Sequence, residues 1–278
     1  MATALVTGGT SGIGAEFARS LAARGFDLVL VARDRARLES TAAELHASSG
    51  IDVEVLVADL ADRGELQTVV ERIADPLRPI AFLVNNAGFG VHSSLLSDDT
   101  SKHEYAMDVM MRAVLVLGGA AGRSMRAQGT GNILNVASIA GLLTMGSYSA
   151  IKAWVGSYSQ GLSLELRGSG VTVTSLMPGW VRTEFHTRAG IRTGSIPSFL
   201  WIDAGRLVRS ALRDAGRGKV ISIPSVRYRA IAWLVGYAPR RVVRTISRII
   251  SSSRNDDVLQ ASAPSDPNTP AGTTGQGH

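Results

Sequence analysis

The sequence predicts an α/β fold: a doubly wound parallel sheet of about seven strands with helices on both faces. Short β-branched runs alternate with longer amphipathic segments along most of the chain. All but one of the short runs are apolar over nearly their whole length, which is typical of strands buried on both faces of a sheet. The length of 278 residues lies within the range that single domains of this class reach.

The short runs give seven strand candidates, and a helical pattern separates each from the next. The repeated strand–helix–strand order favours parallel strands joined by right-handed crossovers. No other internal repeat is visible. In chain order the candidates are "TALVT" (3–7), "DLVLVA" (27–32), "VEVLVA" (53–58), "IAFLVN" (80–85), "NILNVA" (132–137), "VTVTSLM" (171–177) and "KVISI" (219–223).

We expect one folded domain over residues 1–223, basic amphipathic helices over 224–250 and a disordered tail over 251–278. The tail is rich in Ser, Pro, Gly and Thr, and too few of its side chains are apolar to offset the entropy lost on ordering. The whole chain is 45% hydrophobic and 19% charged, a composition typical of a globular protein with a large core.

The chain contains no cysteine, which excludes disulfides and thiolate metal sites, and its five scattered His residues predict no metal site. Redox chemistry would therefore depend on a bound cofactor. The start "MATALVTGG" does not have the pattern of a secretory signal, and no run of about 18 apolar residues indicates a membrane-spanning helix. We therefore expect a cytoplasmic protein.

The formal net charge of +6 is unevenly distributed along the chain. Residues 225–254 hold seven Arg and no acid, residues 255–278 hold three Asp, and the body before them is close to neutral. Only three of the 29 basic residues are Lys, which is typical of a GC-rich genome. Because the body lacks a basic surface, nucleic acid is not a predicted partner.

A glycine-rich turn, "TGGTSGIG", connects the first strand candidate to the first helix at residues 7–14. Glycines there allow the backbone to approach a pyrophosphate closely at the helix N-terminus, where amide donors and the helix dipole point towards it. A tight turn without a ligand would have similar residues. The position directly after the first strand favours a dinucleotide site.

Arg33 directly follows the second strand candidate, in "VLVARDRARLE". An acid at this position would hold the ribose hydroxyls of NAD, whereas a cation favours the additional phosphate of NADP. Arg33 therefore predicts NADP, with NAD the less favoured coenzyme. A shift of one residue would instead place Asp34 at the ribose, and a solvated basic start of the second helix is the structural alternative.

Tyr148 and Lys152 share one face of a predicted helix in "GSYSAIKAW", because residues four apart lie one turn from each other. A free phenol has a pKa of about 10, and a neighbouring ammonium favours its phenolate form. Ser138 follows the fifth strand candidate and can hydrogen-bond an oxygen on which charge develops. A helix face and a strand-end cap would explain these residues one by one. Their combination with the glycine turn indicates catalysis.

With "NNAG" (85–88) added, these motifs resemble the short-chain dehydrogenase/reductase family over about residues 1–223. "NNAG" alone indicates only a turn. The resemblance implies a Rossmann fold and an NADP-preferring enzyme that transfers hydride between coenzyme and a carbonyl or alcohol, in the reductase direction. It implies that Ser138, Tyr148 and Lys152 are catalytic.

The same resemblance implies the coenzyme contacts, with Asp59 at the adenine and Thr183 at the carboxamide. The implied set is Gly8, Thr10, Ser11, Gly12, Ile13, Gly14, Arg33, Asp59, Leu60, Asn86, Ala87, Gly88, Tyr148, Lys152, Pro178, Gly179, Val181 and Thr183.

Two features depart from the family pattern. Ser138 and Tyr148 are ten positions apart, a spacing shorter than the family's usual one. Met110 stands where the family usually carries Asn, and its side chain forms no strong hydrogen bond. If a backbone carbonyl there holds the relay water, activity should survive. If the Asn side chain is required, the chain would be a catalytically weak coenzyme-binding scaffold or sensor.

Residues 178–205 follow the sixth strand candidate, where a substrate lid is expected. Their apolar side chains favour a hydrophobic carbonyl or alcohol, such as an acyl-chain or steroid-like substrate, although ordinary packing would also explain some of them. His186 fits a surface or lid position. The candidate pocket residues are Trp180, Phe185, Phe199, Leu200 and Trp201.

Residues 226–250 mix aromatic and aliphatic side chains with six Arg. Such a segment can lie in a membrane interface, on the inner face of the membrane, with Arg towards anionic head groups. Packing on the body or on a second subunit is the alternative, and the family resemblance implies a homo-oligomer.

Overall fold

The computed structural model describes most of the chain in detail. Thr183, Phe185, His186 and the predicted tail lie outside the described residues, so the predictions made for them stay predictions. The described residues are 1–91, 93–182, 198–239, 241–245 and 247–248.

The described residues form one parallel sheet of seven strands in the order β3-β2-β1-β4-β5-β6-β7. The chain winds outwards from β1 in one direction and then returns to wind outwards from β4 in the other. This is the predicted doubly wound α/β fold. The strands are β1 Thr3–Thr7, β2 Asp27–Ala32, β3 Val53–Val57, β4 Ile80–Asn85, β5 Gly131–Val136, β6 Val171–Leu176 and β7 Ile221–Ser222.

The bounds of β1, β2 and β4 match the prediction, whereas β3, β5 and β6 differ from it by one residue at one or both ends. β5 starts earlier than predicted because Gly131 already pairs with Val171. The largest difference is β7, which the sequence predicted over 219–223. Pro224 follows this short strand and lacks the N–H group that would continue the ladder.

Eight helices in the described residues cover the sheet. A π-helical turn, Asp108–Arg112, joins α4 to α5, and a 3₁₀ turn, Ile139–Leu142, precedes α6. The helices are α1 Gly12–Ala22, α2 Arg35–Ser49, α3 Arg63–Ala74, α4 Ser101–Met107, α5 Ala113–Gln128, α6 Gly146–Glu165, α7 Ala204–Gly216 and α8 Val226–Tyr237.

Two apolar cores lie on opposite faces of the sheet. Val6 and Leu30 pack with α1 and α7 in one core, while Leu5 and Val29 pack with α3 and α5 in the other. Successive residues of one strand thus enter different cores, because side chains alternate across a sheet. This alternation explains why the strands are continuously apolar.

The longest helical stretch, Ser101–Gln128, is long and apolar enough to cross a membrane by length and composition alone. This corrects the expectation that no segment qualifies. More than half of its apolar window is buried, and Ala113, Leu117 and Ala121 belong to one of the sheet cores. Packing against the sheet therefore explains its hydrophobicity.

α8 packs on the body through one face and leaves the other exposed. Tyr228 is buried, and its hydroxyl donates to the Leu200 carbonyl at 2.8 Å. The opposite side presents Trp233, Leu234 and Tyr237 to solvent. Further along, the buried Ser247 accepts a hydrogen bond from the Thr144 amide at 3.0 Å. The C-terminal segment therefore reaches the loop before α6.

Candidate active site

The glycine turn and the "NNAG" segment are joined at the carboxyl edge of the sheet. Thr7 Oγ1 accepts hydrogen bonds from the amides of Asn86 and Ala87 at 2.9 and 3.0 Å, and donates to the Val84 carbonyl at 3.3 Å. The Asn86 side-chain amide donates to the carbonyls of Thr7 and Gly8 at 3.0 and 3.3 Å. These bonds hold the two segments as one unit.

Glycine is required inside this unit. A Cβ atom on Gly14 would overlap the Gly8 carbonyl oxygen and the Asn86 side chain, and Gly8 and Gly12 have φ angles of +66° and +55°. The N-terminus of α1 therefore lies against the turn with its amides available to a pyrophosphate. The other residues predicted for this edge are half-buried or buried: Thr10, Ser11, Ile13, Leu60 and Ala87.

Arg33 and Asp59 meet beyond the ends of β2 and β3. Arg33 Nη1 donates to the Tyr105 hydroxyl at 2.6 Å, and that hydroxyl donates to the Asp59 carboxylate at 3.0 Å. Asp34 instead caps α2 and accepts from the Arg37 amide at 3.0 Å. Of Arg33 and Asp34, it is therefore Arg33 whose side chain lies beside Asp59. The sequence motifs contained no indication of Tyr105.

Ser138 lies just beyond β5 and caps the following 3₁₀ turn. Its Oγ accepts from the Ala140 amide at 3.1 Å and donates to the Pro178 carbonyl at 3.4 Å. The second bond is long, so the hydroxyl proton is weakly held. The serine can therefore redirect this proton without losing its capping bond.

Lys152 is buried beneath Tyr148 on α6. Its Nζ atom lies 5.8 Å from the centre of the Tyr148 ring and donates to the Val136 carbonyl at 2.8 Å. Burial lowers the pKa of the Lys152 ammonium to about 8. The two residues are thus brought together as predicted from their spacing, at the carboxyl end of β5.

The 3₁₀ turn shows how the chain accommodates the short spacing between Ser138 and Tyr148. A Cβ atom on Gly141 would lie 2.7 Å from the Ala153 amide nitrogen and 2.8 Å from the Lys152 carbonyl carbon. The turn therefore packs backbone to backbone against α6 beside Lys152. Only glycine permits this approach without displacement.

Met110 lies in the π-helical turn and is buried. The turn is formed without an Asn side chain: the Ala113 amide bonds to the Asp108 carbonyl, five residues earlier. A Cβ atom on Gly88 would lie 2.9 Å from the Met110 sulfur and 3.7 Å from Lys152 Nζ. Met110 therefore fills the space beside the predicted coenzyme loop, close to Lys152.

His103 links α4 to the start of α6, a contact that a single His in the sequence does not indicate. Its Nε2 lies 3.0 Å from the Ser94 carbonyl, and its Nδ1 lies 2.7 Å from Ser147 Oγ. Since a carbonyl only accepts, Nε2 carries the proton and Nδ1 accepts from Ser147. This pairing fixes the residue next to Tyr148.

The predicted substrate side follows β6, where Pro178 and Val181 are buried. The Tyr228 ring of α8 occupies the place of a Gly179 side chain. Trp180 lies 6.2 Å from Trp201 between ring centres. Leu200 is half-buried and Phe199 is exposed, so Phe199 does not line an enclosed pocket among the described residues.

The family model of the short chain dehydrogenases matches residues 2–192. A very-long-chain 3-oxoacyl-CoA reductase of Anas platyrhynchos is 36% identical over 77% of this chain and 69% of its own length. A galactitol 2-dehydrogenase of Cereibacter sphaeroides is 37% identical over 66% and 72%. The structure of a short-chain dehydrogenase from Sphingobium yanoikuyae in complex with NADPH aligns with a TM-score of 0.76 at 33% identity, over 98% of this chain and 99% of that one.

The lowered pKa of Lys152 predicts a pH dependence of stability. Burial opposes the charged form in the native state, so the folded chain releases this proton near pH 8 and the unfolded chain near 10.5. The free energy of unfolding should therefore rise by about 3 kcal/mol at most as the pH increases through this window, because the native state no longer carries the buried charge. Below pH 8 both states are charged and the penalty is constant.

Urea unfolding of the coenzyme-free protein between pH 7 and about 10.5 measures this dependence. A Tyr148→Phe background keeps the neighbouring phenol from contributing. The free energy of unfolding of Tyr148→Phe is compared with that of the double variant Tyr148→Phe/Lys152→Met. The first value minus the second should rise as the pH increases from about 8 to 10.5. A pH-independent difference would contradict the buried ammonium.

Proposed function

The chain belongs to the short-chain dehydrogenase family, and we propose that it is an NADP(H)-dependent reductase of a hydrophobic carbonyl compound. Members of this family are oxidoreductases that act on alcohol and ketone groups. The observation that carries the proposal is the buried Lys152 ammonium beneath Tyr148, at the edge where the glycine turn also ends. The glycine turn fits a dinucleotide, because α1 begins directly after it at Gly12 and its first amides can donate to a pyrophosphate.

In this proposal, NADP(H) held at the glycine turn would supply a hydride for the carbonyl carbon. Tyr148 gives its phenolic proton to the carbonyl oxygen, and the Lys152 ammonium stabilises the phenolate that remains. Ser138 turns its hydroxyl from the Pro178 carbonyl towards the same oxygen and stabilises its developing charge. An ammonium has three N–H donors, and Val136 accepts from one, so a ribose hydroxyl can accept from another. The reverse sequence would oxidise an alcohol.

Arg33 supports the choice of NADP(H). Its guanidinium lies beside Asp59, at the adenine end of the proposed site, while Asp34 is used as a helix cap. A 2′-phosphate has the charge and the acceptor oxygens that a guanidinium binds. The relative from Sphingobium yanoikuyae, which was solved with NADPH, adds support.

Aromatic and aliphatic side chains support a hydrophobic substrate. Trp180 and Leu200 pack in an apolar cluster on the side of the site where the proposed lid begins. One relative is named for a very-long-chain acyl substrate and another for a sugar alcohol, so the choice between them depends on the local chemistry. The apolar cluster favours an acyl-chain or steroid-like carbonyl over a polyol.

We propose a cytoplasmic enzyme, and the exposed face of α8 supports contact with the anionic inner face of the membrane. Trp233 and Tyr237 are 62% and 78% exposed, within a stretch of seven Arg and no acid over residues 225–254. An isologous contact between two copies would bring like charges together.

The protein is expected to co-sediment with anionic but not with neutral vesicles, and added salt should weaken this binding. A homo-oligomer that forms without lipid and buries Trp233 would contradict this assignment.

A second candidate function is a coenzyme-binding scaffold with little activity. Met110 favours it, because a buried thioether beside Gly88 replaces the Asn that the family usually carries. The π-helical turn favours activity, since it provides the irregular backbone without that side chain. We place the reductase first.

Tyr148→Phe should abolish turnover while coenzyme still binds, because it removes the proton donor and keeps the ring. A loss of at least about a hundredfold is expected from general acid catalysis. NADPH oxidation with fatty-acyl, steroid and quinone carbonyls measures turnover, and coenzyme fluorescence measures binding. Tyr158→Phe is the matched control on the same helix, since its hydroxyl donates to the Leu115 carbonyl on α5. Unchanged turnover in Tyr148→Phe would refute the assigned role.

Arg33→Ala should weaken NADPH binding by about tenfold or more, while NADH binding changes little, because only NADPH carries the 2′-phosphate. Titration of both coenzymes measures the two dissociation constants. Arg35→Ala is the control, since it removes an equally exposed arginine whose partner is Glu39 on α2. Equal losses for both coenzymes would argue against NADP selectivity through Arg33.

Met110→Asn separates the two candidate functions. If the backbone of the π-helical turn is enough for catalysis, the wild type reduces a carbonyl substrate. The turnover rate of Met110→Asn then stays within about tenfold of the wild-type rate, which is about 1.4 kcal/mol in the barrier. Met111→Asn places the same amide one residue along the turn and measures the nonspecific effect. An inert wild type that Met110→Asn activates by orders of magnitude, with unchanged coenzyme affinity, would favour the scaffold.

A further inference from the structure

A single hydroxyl bridges the two charged residues at the adenine end of the proposed coenzyme site. The Tyr105 oxygen lies 2.6 Å from Arg33 Nη1 and 3.1 and 3.0 Å from the two Asp59 carboxylate oxygens. Arg33 Nη1 itself lies 3.8 Å from an Asp59 carboxylate oxygen, which is within ion-pair distance but too far for a hydrogen bond. The tyrosine therefore stands between a guanidinium and a carboxylate that would otherwise hydrogen-bond directly.

The chemistry of this bridge requires a hydroxyl. A guanidinium only donates and a carboxylate only accepts, so the atom between them must accept from one and donate to the other. Burial, followed by the hydrogen bond to Asp59, raises the pKa of Tyr105. The phenol thus keeps its proton at neutral pH and can hold both partners at once.

The ring of Tyr105 is held by packing, whereas the Arg33 side chain lies largely in solvent. Tyr105 lies on α4, and its ring packs against Phe89 with 5.5 Å between ring centres. The Arg33 side chain is 67% exposed, and its guanidinium carbon lies 5.9 Å from the centre of the Tyr105 ring. An exposed arginine samples many rotamers unless a partner holds it. Tyr105 is that partner.

We infer that Tyr105 is a positioning residue for coenzyme selectivity. Its hydroxyl holds Arg33 at the proposed 2′-phosphate position and keeps the guanidinium from hydrogen-bonding directly to Asp59. This inference rests on the proposed use of NADP(H) by this site. Without the hydroxyl, the guanidinium moves onto the carboxylate and away from the phosphate. The proposed contact between Asp59 and adenine would be the same for both coenzymes, so the ratio of NADPH to NADH affinity isolates the effect on Arg33.

The test is Tyr105→Phe, which removes only the hydroxyl and keeps the ring against Phe89. Titrations of purified protein with NADPH and NADH should give about a tenfold loss of NADPH affinity, or about 1.4 kcal/mol. The NADH affinity should stay within about twofold. Tyr158→Phe removes a phenolic hydroxyl from the remote face between α5 and α6 and should leave both affinities unchanged.

A double-mutant cycle separates positioning from a general structural effect. Because Tyr105 acts through Arg33, adding Tyr105→Phe to Arg33→Ala should produce no further loss of NADPH affinity. Additive losses of NADPH affinity in the double variant would overturn this inference and leave the coenzyme proposal standing. The same holds if the wild type prefers NADPH and Tyr105→Phe leaves the ratio of NADPH to NADH affinity unchanged. A wild type without preference for NADPH would overturn the coenzyme proposal and this inference with it.

Discussion

The site depends on one unfavourable interaction, the burial of the Lys152 ammonium against the end of β5. Removing a charge from water is costly, and the bond to the Val136 carbonyl offsets this only in part, so the pKa falls to about 8. The surroundings are shaped to permit the burial. Gly88 brings backbone close to the ammonium with Met110 beside it, and Gly141 packs against the main chain of Lys152. A low-dielectric wall around a cation strengthens its effect on a neighbouring phenol.

The parallel sheet explains how residues far apart in sequence reach this place. The loops that follow β1, β4 and β5 all leave from the carboxyl edge, so the glycine turn, "NNAG" and Ser138 become neighbours. Thr7 and Asn86 then join the first two loops through five hydrogen bonds. Proximity is thus a consequence of topology, while the exact fit depends on a few polar side chains that the strands place at their ends.

Local sequence patterns predicted the fold, the glycine turn and the pairing of Tyr148 with Lys152, because strand apolarity, glycine turns and helical spacing are short-range features. The family resemblance supplied most of the other candidate contacts. β7 was the weakest strand prediction, since Pro224 and the sheet edge decide its length more than its apolar residues do. Tyr105 and His103 were missed for a different reason. Tyr105 meets Arg33 across 72 positions and His103 meets Ser147 across 44, and neither pairing has a local pattern. Such contacts exist only once α4 is packed.

The two departures from the family pattern have the same structural explanation: backbone geometry replaces what a side chain or a longer loop supplies elsewhere. Gly141 lets the shortened loop lie directly on α6, and the C-terminal Ser247 holds Thr144 from the other side. The π-helical turn provides an irregular carbonyl pattern around Met110 without an amide. Both replacements lie beside Lys152, so they alter how the candidate site is supported while Tyr148 keeps its place on α6.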